Sequence, residues 1–168
     1  MILRRGIYLI LLLMVVSGCK KTSFLGKRYD NFTAYYNKFY NAKKLYKTGV
    51  EAIERTAETE IDRNRYMAVF VTPDRVTSQQ TFNDAIIKCA DVLRENAGSK
   101  WVDDALILIG KSYFYLQNYV GAEQKFAEVI GLGGELEDEA RFWLGRTYLA
   151  SGSLSRAKEH LDVSLNRE

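Results

Sequence analysis

Residues 102–134 read VDDALILIGKSYFYLQNYVGAEQKFAEVIGLGG, and residues 137–165 read EDEARFWLGRTYLASGSLSRAKEHLDVSL. At an offset of 35 residues, Ile109 falls on Leu144, Gly110 on Gly145, Tyr113 on Tyr148, Tyr119 on Leu154, Ala122 on Ala157 and Phe126 on Leu161. Matching chemistry at so many positions of one offset marks an internal repeat. In the first copy Val102, Ala105, Leu106, Ile109, Tyr113 and Leu116 recur at three- and four-residue spacing, which is one apolar helix face. Gln117-Asn118 is the turn, and Ala122, Phe126, Val129 and Ile130 form a second helix that ends at Gly131-Leu132-Gly133-Gly134. The second copy runs through Ala140, Trp143, Leu144, Thr147 and Tyr148, turns at Ser151-Gly152-Ser153, and continues through Leu154, Ala157 and Leu161. Gly110 and Gly145 sit inside helices, at a cost of about 1 kcal/mol each relative to Ala. Close helix approach is the expected offset, with Ala122 and Ala157 serving the facing helix.

The rest of the chain agrees with an all-α fold. It has 168 residues, 47% hydrophobic and 27% charged, the composition of one globular domain rather than of a disordered segment. A single Pro permits long helices, and two Cys with one His argue against a zinc site, a disulfide scaffold or a His-rich metal centre. Upstream of the repeats, Phe82, Ala85, Ile86, Cys89 and Leu93 form another helical stripe, matching the second helix of a preceding unit and closed by Asn96-Ala97-Gly98-Ser99-Lys100-Trp101. Residues 29–58 read as an aromatic-rich helical segment carrying Tyr29, Phe32, Tyr35, Tyr36, Phe39, Tyr40 and Tyr46. Those aromatics exceed what one helix face buries, so they are divided between core and a contact surface. Residues 59–79, with Pro73 and the run Val69-Phe70-Val71, read as an irregular connection.

The pattern Leu106…Ile109-Gly110…Tyr113…Tyr119…Ala122…Phe126, with its second copy Leu144-Gly145…Tyr148…Gly152…Leu154…Ala157…Leu161, resembles the tetratricopeptide repeat. The departures are a weak first aromatic position, a period one residue above the usual, and no closing Pro. The resemblance covers residues 80–168, about two and a half units, and implies an α-solenoid of helix-turn-helix repeats. In such arrays the concave face is lined by first-helix residues outside the packing pattern. Here these are Asp104, Leu108, Lys111, Ser112 and Tyr115 in one unit and Glu139, Phe142, Arg146 and Thr147 in the next, which the resemblance makes candidates for partner binding. No polar capping helix follows Leu161, Val163 and Leu165, so the array is expected to be covered by a partner or to continue in a longer protein.

The N-terminus reads as an address. Arg4 and Arg5 precede an uncharged run from Ile7 to Val16, which is of signal-peptide length and too short to span a bilayer. It ends in Val16-Ser17-Gly18-Cys19, which resembles a bacterial lipobox. The resemblance implies cleavage of the signal peptide 1–18, diacylglycerol on the Cys19 sulfur, an acyl chain on its new amine, and a lipidated tether over 19–28. A general secretory signal or a failed anchor helix are the other readings. Lys20-Lys21-Thr22 carries no Asp of the kind associated with inner-membrane retention, so the expected location is the periplasmic leaflet of an outer membrane. Residues 20–58 hold nine Lys/Arg against four acids, whereas residues 59–168 hold thirteen against seventeen. The basic part is suited either to anionic headgroups or to a solvated helix face, and nucleic acid is an implausible partner.

No catalytic constellation is legible. Cys89 lies on an apolar stripe and reads as a buried small hydrophobe before a reactive thiol. His160, among Lys158 and Glu159, reads as a surface or packing residue. Asp103-Asp104 and Glu135 to Glu139 stand at helix starts, where carboxylates oppose the helix dipole, ahead of any calcium or acid–base role. The expectation is a non-enzymatic protein without metal or cofactor beyond its covalent lipid, one that organises other proteins of an envelope complex.

Two families of such lipoproteins are similar. The start Phe24-Leu25-Gly26-Lys27-Arg28-Tyr29, followed by Thr33-Ala34-Tyr35-Tyr36-Asn37 and Phe39-Tyr40-Asn41-Ala42, resembles the repeat lipoproteins of gliding motility and type IX secretion. Ser99-Lys100-Trp101 with Asp104-Ala105-Leu106 resembles the accessory lipoprotein of outer-membrane β-barrel assembly. The first resemblance is the closer one. A glycan-binding periplasmic lipoprotein is a further reading, and it would need exposed aromatic rings in a concave site.

Overall fold

Ser23 caps the first described helix, its Oγ accepting from the Gly26 N–H at 3.1 Å. The computed structural model describes residues 23–60 and 78–165. The expected signal peptide, Cys19 and most of the expected connection 59–79 therefore lie outside the described residues. Helix α1 (Phe24–Thr33) passes through a π-helical turn (Ala34–Phe39) into α2 (Tyr40–Glu60). Then follow α3 (Gln79–Glu95), α4 (Val102–Tyr115), α5 (Tyr119–Leu132), α6 (Glu137–Ala150) and α7 (Leu154–Leu165). The described residues contain helices and no strand.

The π turn has an identifiable cause. The inward positions of α1–α2 are Asp30, Ala34, Phe39, Ala42, Gly49 and Ile53. The step of five residues from Ala34 to Phe39 would swing Phe39 about 140° off the buried side of a regular α-helix. Widening one turn absorbs the extra residue, the Tyr40 N–H reaching back to the Tyr35 carbonyl. Phe39 then stacks on Trp101 at 5.5 Å between ring centres, and Tyr35 lies 4.6 Å from the same indole.

From α2 onward each helix packs on the next in the chain, and α2 also touches α4 as α4 touches α6. The described residues thus form three helix pairs, α2/α3, α4/α5 and α6/α7, whose first members α2, α4 and α6 meet in series. The stripe at Phe82–Leu93 finds its partner in the aromatic-rich segment. The long α2 supplies the first helix of that pair.

Helix α4 explains its own unusual sequence. Ala105 to Gly110 are all buried, and a helix apolar on all sides belongs inside. Leu106, Ile107 and Phe114 join Ala122, Phe126, Val129, Trp143, Leu144 and Tyr148 in one cluster; Ala105, Leu108 and Ile109 join Ala34, Phe39, Ala42, Cys89 and Val92 in another. Both repeat glycines stand at close approaches. A Cβ on Gly110 would lie 2.6 Å from the Phe126 ring, and one on Gly145 would lie 2.7 Å from Leu161 Cγ. A third approach, with 2.8 Å between a Gly49 Cβ and Phe82, joins α2 to α3.

The repeat extends to individual hydrogen bonds. In the first turn the N–H groups of Leu116, Gln117 and Asn118 donate to the carbonyls of Ser112, Phe114 and Tyr113; in the second those of Ser151, Gly152 and Ser153 donate to Thr147, Leu149 and Tyr148. Every member is displaced by the same 35 residues.

Candidate interaction face

The exposed side of the series α2, α4 and α6 is built from residues that helix spacing turns away from the two cores. Repeat positions again correspond: Asp104 falls on Glu139, and Lys111 on Arg146. Lys111 Nζ forms an ion pair with Glu139 across the α4–α6 contact and lies 5.2 Å from the centre of the Trp143 ring. The Arg146 guanidinium lies 4.4 Å from the same ring, 5.2 Å from Phe114 and 5.8 Å from Phe142. Trp143 is buried, so both cations rest on an aromatic ring shielded from water, a placement worth more than an exposed cation–π pair. Phe142 beside them is 45% exposed.

Rings continue the face towards α2. Tyr115 lies 6.2 Å from Trp143, stacks parallel on Phe82 at 5.2 Å, and meets Tyr46 edge-on at 5.9 Å. Burial pushes the Tyr46 phenol far above its ordinary range, with Tyr115 adding to the effect. Burial also raises Tyr115, against the opposing charge of Arg146. At the other end of the face burial raises the Asp104 carboxyl, helped by Asp103 and opposed by Lys43 of α2. The face is therefore neither uniformly apolar nor of one sign. It offers one exposed ring, partly exposed tyrosines and alternating charges, all held on helices.

Six of the expected binding residues, Asp104, Lys111, Tyr115, Glu139, Phe142 and Arg146, share this face. The expectation for Leu108 and Ser112 needs correction, and Thr147 goes with them. Leu108 is buried in the cluster with Ala34, Phe39 and Ala42 of the N-terminal helix. Ser112 and Thr147 have 0% and 1% of their surface exposed, and their hydroxyls donate to the carbonyls of Leu108 and Trp143 one turn back, at 2.7 and 2.8 Å. These are helix-internal bonds, at one repeat position, with nothing to offer a partner. Trp143, Tyr46 and Lys43 were not among the expected binding residues. The matched charges at the repeat offset were the signal that pointed to Trp143, which lies between them.

The other singled-out residues are placed as follows. Cys89 is buried, and burial pushes its thiol far above the ordinary range, the opposite of what a reactive thiol needs. The His160 ring lies 5.5 Å from Tyr148, whose hydroxyl donates to Glu123 at 2.8 Å. Asp103 and Asp104 occupy the first turn of α4, and Glu137, Asp138 and Glu139 that of α6. Among the described residues no group of three or more His, Cys, Asp or Glu could hold a metal ion.

The segment Asn96 to Trp101 acts as a clamp. Asn96 donates through Nδ2 to the buried Asp30 at 2.6 Å and accepts at Oδ1 from Lys38 Nζ at 2.6 Å. Lys38 also pairs with Glu95 at 2.8 Å, and that bond, with Arg94 beside it, holds the Glu95 carboxyl below its usual range. The Lys100 N–H donates to Asn31 Oδ1 at 2.9 Å, and the Trp101 indole to the Asn31 carbonyl at 3.1 Å. Lys100 and Trp101 thus hold α1 in place, and the Ser99 hydroxyl accepts from the Trp101 N–H at 3.1 Å within the turn. No family model matches the chain, and no curated protein or solved structure is significantly similar to it.

Proposed function

We propose that this chain is a lipid-anchored scaffold of an outer-membrane secretion or gliding-motility machine, binding another envelope protein on the face of α2, α4 and α6. The array is read as a tetratricopeptide-like solenoid, anchored through acylated Cys19 and facing the periplasm. The single observation that carries the binding role is the group Lys111, Glu139, Trp143 and Arg146, with Phe142 exposed beside it and Tyr115 behind. Cations resting on a buried indole and an exposed ring on stiff helices suit an interface in which aromatic and Arg anchors dominate. The helix pairs, and turns whose hydrogen bonds repeat at one offset, support the solenoid reading.

Accessory work in β-barrel assembly is the second reading within the same class. Its support from Ser99-Lys100-Trp101 is weakened by the use of Lys100 and Trp101 against α1. For the glycan reading, the exposed rings Tyr29, Phe32, Tyr36 and Tyr40 stand along one helix.

The test is affinity capture of the natively lipidated protein from gently cross-linked outer membranes, comparing wild type with Phe142→Ser/Arg146→Glu and with Cys89→Ala. The expected result is recovery of secretion- or motility-machine components with wild type and Cys89→Ala, reduced at least fivefold by the double substitution. A β-barrel assembly core lost in the same way assigns the second reading. Nothing enriched above a Cys19→Ala control overturns both.

A further inference from the structure

Leu25, Tyr29, Phe32, Tyr36 and Tyr40 follow one another at steps of three and four residues along α1, the π turn and α2, and so share one side. All five face outward, from 67% exposed at Leu25 and 72% at Tyr29 to 52% at Tyr40. Phe32 and Tyr36 lie 4.6 Å apart as a ring pair, each with more than half of its surface exposed. This is a large apolar patch for a protein surface, and such patches mark interaction sites.

Its charge surroundings are one-sided. Between residues 24 and 50 the only acid is Asp30, which is turned inward onto Asn96. Lys27, Arg28, Lys43, Lys44 and Lys47 are all exposed along the same stretch; Lys47 pairs with Glu51 at 3.6 Å and Lys43 faces Asp104, which leaves Arg28 and Lys44 beside the stripe. An aromatic side flanked by outward cations, on a helix too polar to cross a membrane, is the composition of a helix lying in a bilayer interface. Tyrosine suits the headgroup level, its ring apolar and its hydroxyl wet, and Lys and Arg reach outward to the phosphates.

Two other occupants fit less well. A second copy would bring the same unbalanced cations together, and like charges across an interface oppose pairing. Residues 61–77 of the chain itself are tied at both ends, to Glu60 and to Ser78, whose Oγ donates to the Gly49 carbonyl at 3.0 Å. Fully extended, the connection reaches at most about 65 Å. Tyr29 is about 45 Å along the helix from Glu60 and about 30 Å from Gly49, so covering it needs a path of about 75 Å, and the connection cannot cover the stripe beyond Tyr36 and Tyr40.

We propose that α1 and the start of α2 lie on an anionic bilayer surface through Leu25, Tyr29, Phe32, Tyr36 and Tyr40, with Arg28 and Lys44, three and four residues from Leu25 and Tyr40, on the headgroup phosphates. The inference rests on the lipid-anchored reading in one respect: acylation at Cys19, four residues before Ser23, is what brings that surface within reach. One acyl chain holds a protein only marginally, and a basic, aromatic helix is the kind of second signal that makes anchoring stable.

The test uses residues 19–168 carrying Cys19→Ala, a chain without acyl groups that keeps every described residue. It is floated on a density gradient with vesicles of phosphatidylethanolamine and phosphatidylglycerol at 3:1, and separately with phosphatidylcholine vesicles. The bound fraction is expected to exceed that on phosphatidylcholine severalfold and to fall as salt rises. Tyr29→Ser/Phe32→Ser/Tyr36→Ser and Arg28→Glu/Lys44→Glu should each lower it at least tenfold. Both sets alter exposed side chains, and unchanged helicity by circular dichroism confirms that the fold is kept. Wild type left at the bottom of the gradient, or floating no better than either variant, overturns the proposal. A dimer in light scattering that the aromatic substitutions dissolve assigns the stripe to a second copy and overturns it too. Failure of acylation is read separately, by palmitate labelling of Cys19, and does not affect the flotation result.

Discussion

Gln117 and Gly152 occupy the same place in successive helix–helix turns, and both adopt positive φ, 57° at Gln117 and 81° at Gly152. Gly enters this left-handed region without steric cost, whereas a residue with a Cβ pays about 1–2 kcal/mol. The turn hydrogen bonds are the same in both copies, so the geometry is imposed by the helix pair and Gln117 bears the strain. Gln117→Gly is expected to stabilise the protein by about 1 kcal/mol and raise Tm by about 2–4 °C. Gly152→Ala is expected to lower stability by about the same amount. Thermal unfolding followed by circular dichroism reads both.

The glycines within helices separate in the opposite sense. Gly110→Ala places a Cβ 2.6 Å from a Phe126 carbon, so the gain in helix propensity is outweighed by overpacking. A net loss of about 1–2 kcal/mol is expected in urea unfolding. Gly131→Ala meets nothing within 4 Å and should be neutral or stabilising by up to about 1 kcal/mol. A double-mutant cycle of Gly110→Ala with Phe126→Leu should show that the two changes are not additive, because the smaller side chain relieves the contact.

Much of this architecture was legible in the sequence, for physical reasons that differ from residue to residue. The repeat of Gly110 and Phe126 in Gly145 and Leu161 was readable because a close approach demands a missing side chain opposite a large one. The π turn was not readable. It shows only as a five-residue step between Ala34 and Phe39, and that step has meaning once Trp101 is known to lie opposite. Leu108 and Ser112 were misplaced because first-helix geometry was applied to α4 without the N-terminal helix that packs over Leu108. Asn96 to Trp101 read as a helix closure, and its role as a clamp depends on Asp30 and Asn31, more than sixty residues away in the chain.

That clamp makes its own prediction. Asn96→Ala leaves the buried Asp30 carboxylate without its donor and frees Lys38 from its closest acceptor. A loss of about 2 kcal/mol is expected. Hydrogen exchange should show faster opening of α1 and the π turn, with α6 and α7 unchanged. Uniform acceleration across the molecule would mean that α1 is not a separately docked element.

The stability of the fold should decline in two steps as the pH becomes alkaline. Burial favours the protonated forms of Cys89 and Tyr46 in the fold, while the unfolded thiol and phenol release their protons near about 8.5 and about 10. Each stabilising contribution is complete below its unfolded value and is lost as pH rises through and beyond it. Tyr46→Phe should therefore leave the decline above pH 10 shallower by up to about 1.4 kcal/mol per pH unit, without altering the part that begins near pH 8.5. Urea midpoints measured from pH 7 to 11 on both proteins check this.

The central claim is that the α4–α6 face, and not the outer helices, contacts an envelope partner. Site-specific photocrosslinking in living cells tests it most directly, with p-benzoylphenylalanine placed at Phe142 or at Val120, which is 67% exposed on α5. The account predicts a discrete crosslinked species from position 142, containing the protein recovered by affinity capture, and none from position 120. Equal crosslinking from both positions, or none from 142 while 120 reacts, would contradict it.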